Sequence, residues 1–123
     1  MLLARVLNKQ FMNLLKRLAE EQLPVKGAIK LKETLVKIDT EYLAFDQKRI
    51  ELVKQFCQKN EDGSVMVNEA GNASFDDEGM QNFTKELNTL VSAEIEITPI
   101  SVDELGDVKI SVDELALLEG VLA

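Results

Sequence analysis

Apolar residues recur in alternating steps of four and three along most of the first sixty positions. The clearest run is 28–58, where Leu31, Leu35, Ile38, Tyr42, Phe45, Leu52 and Phe56 share one helical stripe and Arg49 takes the one polar beat. This is heptad spacing on a single face. At about 1.5 Å of rise per residue such a helix runs about 45 Å, more than a core of this size encloses, so it calls for a partner along its length. A second stripe, Leu3, Leu7, Phe11, Leu14 and Leu18, widened by Met12 and Leu15, predicts an earlier helix over Leu3–Gln22. Leu23-Pro24 ends that helix, because proline disfavours helical geometry in the residue before it. Val25-Lys26-Gly27 then completes a connection short enough to make the two helices an antiparallel hairpin.

Beyond residue 60 the period changes. Asn60-Glu61-Asp62-Gly63 supplies turn chemistry, Ser64–Val67 and Ala73–Phe75 read as two short strands, and the loop between them makes a small hairpin. Asp76 or Asp77 caps a third helix over Glu78–Ser92, with Met80, Phe83, Leu87 and Leu90 on its apolar face and Phe75 placed to staple onto Met80. Glu94–Thr98 alternates charged and apolar residues and reads as a half-buried strand that pairs with the hairpin and stops at Pro99. The tail repeats Ile-Ser-Val-Asp-Glu-Leu at 100–105 and 110–115, each copy a capping box with serine at the N-cap and glutamate three residues on. Gly106 cuts the first copy to one turn, and the second opens a terminal helix. The predicted fold is α+β and mainly helical: a long antiparallel helical hairpin followed by a small antiparallel sheet with one or two further helices.

Charge adds a second axis. Residues 1–60 hold 12 Lys/Arg against 7 Asp/Glu, a balance of +5, and residues 61–123 hold 2 against 15, a balance of −13. At 123 residues the chain reads as one domain, with a basic helical hairpin over 1–60 and an acidic α+β half over 61–123. The net charge of −8, with the basic half largely committed to helix packing, argues against direct nucleic-acid binding. The acidic half offers a surface for a partner protein, centred on Asp103, Glu104, Asp107, Asp113 and Glu114; equally, it could fold back onto the basic hairpin.

The chemistry of an enzyme is hard to find. Histidine is absent, so the commonest general base and metal ligand is missing. The one cysteine, Cys57, allows no intrachain disulfide, suits a reducing compartment, and has no local activator. No phosphate loop, dinucleotide fingerprint or zinc spacing occurs, and no cofactor or metal is implied. Asp76-Asp77-Glu78 and the tail carboxylates fit helix capping better than cation binding. The apolar run at the N-terminus is broken by Arg5, Asn8 and Lys9, which predicts neither a signal peptide nor a membrane span. Arg49 stands out, since a guanidinium in a heptad seam needs a reason. It can snorkel outward, pair with a carboxylate from the acidic half or from another subunit, or grip a phosphate beside Lys48 while Tyr42 stacks on a base.

Taken in order, Leu-Pro-Val-Lys-Gly before the long charged helix, Asn-Glu-Asp-Gly, Phe-Asp-Asp-Glu, the segment from Phe83 to Leu90, Glu-Ile-Glu-Ile and Ser-Val-Asp-Glu-Leu form a series over residues 23–118. In that order of motifs the chain resembles a group of small uncharacterised proteins encoded by tailed bacteriophages. The resemblance implies a phage or prophage origin and the cytoplasm of a bacterial host cell, and brings no catalytic residues. The function expected is that of a non-catalytic accessory protein, not an enzyme, that binds and sequesters a host component. The candidates are a host protein or a small nucleotide signal, as in anti-defence. The alternative is a structural protein of virion or tail assembly. The unpaired length of the second helix predicts a homo-oligomer.

Overall fold

The computed structural model describes residues 1–122. Among these described residues four α-helices carry the fold: α1 (Lys9–Ala19), α2 (Val25–Phe56), α3 (Asp77–Val91) and α4 (Val112–Leu117). Two 3-10 turns, Leu3–Leu7 and Val102–Leu105, complete the regular structure. The described residues form two compact units, one of Met1–Tyr42 with the chain from Ala93 on, the other of Leu43–Ser92.

In the first unit the predicted opening helix is split at Asn8. The backbone there is extended (φ −82°, ψ 115°), and Asn8 Oδ1 accepts from the Phe11 N–H at 3.1 Å. An asparagine that satisfies an orphan amide of the first turn starts a helix rather than continuing one. α1 then buries Phe11, Leu14, Leu15 and Leu18, which is most of its predicted stripe. From α2 this unit takes Leu31, Thr34 and Ile38 into its interior. The returning chain adds Ile95, Ile100, Leu105, Leu118 and Val121. Backbone hydrogen bonds close it: the Leu3 N–H donates to the Ala93 carbonyl (2.8 Å), and the Ile100 N–H to that of Val121 (2.8 Å).

The connection to α2 is as short as expected but lies earlier, at 20–24, because α1 ends at Ala19 rather than Gln22. Val25-Lys26-Gly27 forms the first turn of α2 instead of a loop. Gly27 is there for proximity: a Cβ at this position would lie 1.8 Å from the Glu104 carbonyl oxygen. The absent side chain lets the 102–105 turn rest directly on the start of α2. That turn ends at Gly106, whose φ of +64° suits glycine.

In the second unit Phe45 and Cys57 are buried, while Leu52, Val53, Phe56, Phe75, Phe83, Leu87 and Leu90 are half-buried. α3 begins at the N-cap Asp76, whose Oδ1 accepts from the Gly79 N–H at 2.6 Å. Its first turn lies close against the end of α2, since a Cβ on Gly79 would fall 2.3 Å from the Phe56 carbonyl oxygen. Phe75 meets Phe83 with ring centroids 5.1 Å apart, whereas the expected staple partner Met80 is exposed.

The small antiparallel sheet is not formed. Among the described residues the predicted strands Ser64–Val67, Ala73–Phe75 and Glu94–Thr98 make only isolated bridges, Lys59 with Val65, Val67 with Ala73, and Leu2 with Glu94. The fold is therefore mainly helical, without the β component of an α+β fold. The physical reason lies in what each segment has to bury. Met66 and Val67 are both exposed and Val65 and Phe75 only half-buried, so the 64–75 segment buries too little apolar surface to hold a ladder. The alternation at 94–98 is real on one side, with Ile95 buried and Ile97 half-buried. Its neighbour is the short stretch Met1–Leu3, which forms one bridge, and Pro99 has no N–H with which to extend a ladder.

Candidate functional site

The acidic candidates divide sharply. Glu104 is half-buried and pairs with Lys30 of α2 at 2.8 Å, while the Ser101 N–H (3.0 Å) and hydroxyl (2.8 Å) donate to its Oε1. These donors, Lys30 foremost, hold its carboxyl down at about 2 against an ordinary 4.5. Glu114 accepts from the Ser111 N–H at 3.0 Å and pairs with Arg17 of α1. Its carboxyl is lowered, by the Ser111 backbone N–H first, with desolvation opposing and Arg17 adding to the drop. The Arg5 guanidinium meets the carbonyls of Leu117 and Glu119. Glu104 and Glu114 are thus spent on capping and on tying the tail to the basic helices. Asp103, Asp107 and Asp113 point outward and are exposed.

The seam candidates divide as well. Leu31, Ile38 and Phe45 are buried, Leu35, Leu52 and Phe56 half-buried, and Tyr42 exposed. Arg49 is half-buried, and the carboxylate it meets is Asp46, one turn back on its own helix, at 2.8 Å from Nη2 and 3.1 Å from Nε. Lys48 is exposed. The compact units divide these residues, Tyr42 in the first and Lys48 and Arg49 in the second. Cys57 is buried, its Sγ 3.9 Å from the Lys54 carbonyl.

Sequence reasoning missed the other side of α2. Ile29, Val36 and Leu43, spaced by seven, are 52%, 57% and 63% exposed, and Ile50 on the same register and Val25 one turn before Ile29 are exposed too. The signal was present in the chain as a second heptad series, 29, 36, 43, 50, offset by two from 31, 38, 45, 52. The stronger series, carrying the aromatics, masked it. Between these apolar positions stand Lys32 and Asp39, both exposed and neither with an ion-pair partner among the described residues. Beside them a concavity of about 290 Å³ has Ala19, Leu23, Lys32, Leu35, Val36 and Asp39 among its lining residues.

Among the described residues no group of three or more Cys, Asp or Glu is placed to hold a metal ion, and no helix is long and apolar enough to cross a membrane. Neither a protein-family model nor a curated protein nor a solved structure matches this chain.

Proposed function

We propose that this chain is a non-catalytic accessory protein that holds a macromolecular partner in a stoichiometric complex, with the outward apolar face of α2 as the contact surface. The observation that carries this reading is the exposure of Ile29, Val36 and Leu43 in register on one helix face. Singly exposed apolar residues are ordinary; three at heptad spacing form a stripe that another helix can cover. The groups that would otherwise suggest chemistry, Glu104, Glu114 and Arg49, are already engaged within the chain. The resemblance to tailed-phage proteins supports a bacterial cell as the setting, where the assembly built through this face sequesters a host component. A role in virion or tail assembly is the second reading. The same face favours it, since heptad stripes serve assembly equally well, and stoichiometric recovery of the chain in purified particles would distinguish it.

Native mass spectrometry of the protein isolated from bacterial cells, as wild type and as Val36→Asp, tests the contact surface. The expected result is a stoichiometric complex for the wild type and a bare 13.8 kDa chain for the variant. A bare chain in both, or an adduct of nucleotide mass that Val36→Asp retains, overturns the reading.

A further inference from the structure

We propose that the partner covering this face is a second copy of the same chain, packed antiparallel along α2 with a two-fold axis at Val36. The inference rests on the reading of the α2 face given above and names its occupant. Its basis is register. A two-fold axis across the helix at Val36 sets each position a given number of residues after 36 against the position the same number before it in the other copy. Ile29 and Leu43 lie seven residues to either side, so each faces the other across the pair, and Val36 meets Val36. Seven residues turn a straight helix only about 20° short of two full turns, so the three stay on one face.

The charged positions then fall into place. Lys32 is four residues before the axis and Asp39 three after it. Each Lys32 therefore lies within one residue, about 1.5 Å of rise, of Asp39 in the opposite copy. Both side chains are exposed and lack an ion-pair partner within the described chain, and the pairing supplies one to each, twice per dimer. A parallel arrangement would bring Lys32 onto Lys32 and Asp39 onto Asp39, so the charge pattern selects the antiparallel one. The concavity beside Val36 and Leu35 gives side chains of the second helix a place to enter.

Sedimentation equilibrium of the purified full chain tests this, with circular dichroism confirming that each variant is folded. The wild type should sediment at twice 13.8 kDa. Val36→Asp sets two carboxylates against each other at the axis and should raise the dimer Kd about 100-fold. Lys32→Asp opposes two acidic groups at both flanks and should raise it about tenfold. The combined Lys32→Asp, Asp39→Lys variant restores opposite charges across the antiparallel pair and should return to within about threefold of wild type. A wild type that stays a single chain at the highest concentration reached, or a combined variant no tighter than Lys32→Asp alone, overturns the second-copy proposal. If the wild type is monomeric alone yet native mass spectrometry shows a heterologous complex that Val36→Asp abolishes, the contact surface stands and the second copy falls. A complex of any kind that Val36→Asp leaves intact removes both.

Discussion

Among the described residues, thirteen of the fifteen buried apolar side chains belong to the first compact unit, and two, Phe45 and Cys57, to the second. The two units also differ in how the chain closes on itself. The first joins segments far apart in sequence, through Lys30 with Glu104, Arg17 with Glu114, and the Leu3 N–H with the Ala93 carbonyl. The second is continuous, and many of its ties are local: Arg49 with Asp46, Ser64 with Asp62, Ala70 with Asn68, Gly79 with Asp76. A dense core closed by distant contacts unfolds as a whole, whereas half-buried side chains with local ties open at lower free energy. The first unit should therefore set the global stability and the second should be the first to exchange its amides.

The largest effect should come from the first unit's core. Leu15→Ala empties a fully buried site on α1 and should cost roughly 3–5 kcal/mol in denaturant unfolding, with protection lost throughout the first unit. Gly27→Ala should follow at about 2–3 kcal/mol, because the new methyl overlaps a backbone carbonyl and the 102–105 turn must lift. An unchanged unfolding midpoint for Gly27→Ala would show that this close approach does not matter. Phe83→Ala removes a half-buried ring and should cost about 1–2 kcal/mol, with faster hydrogen exchange confined to 43–92. If Phe83→Ala instead loosens both units equally, the contrast between them fails.

Smaller effects concern charge. The folded Glu104 carboxyl titrates at about 2, below its ordinary 4.5, so its ionised form favours the folded state. Its contribution is fully present above pH 4.5 and is lost as pH falls toward 2. Glu104→Gln should therefore flatten the acid limb of the stability curve across that window and change little in its slope above it. Arg49→Ala should alter stability by no more than about 0.5 kcal/mol, since its partner Asp46 is on the same helix and both are partly solvated. A loss several times larger would assign Arg49 a role beyond that pair.

Much of the helical frame was legible before the structure. The α2 seam, the α1 stripe, the Asp76 cap and both serine capping boxes are local patterns, each complete within one or two turns. The failures have a common cause. Whether Ser64–Val67 and Glu94–Thr98 become strands depends on a neighbour and a buried face, neither of which is encoded within five residues. Arg49 stood out as an anomaly, yet its partner was three residues away on the same helix. The candidate contact surface was half legible: the series 29, 36, 43, 50 is visible in the chain, but only burial of 31, 38 and 45 shows which series faces outward.

The sequence by itself determined where helices start and which stripe each offers, because capping and amphipathic periodicity act between near neighbours. Only the tertiary structure decided what the charge meant. Along the chain the halves differ by +5 against −13, but the fold returns the acidic tail to the basic helices. The first unit then holds 13 carboxylates against 9 Lys/Arg and the second 9 against 5, a balance of −4 in each. Coulomb attraction depends on distance in space, not separation in sequence, and so the polarity written along the chain is absent from its compact units.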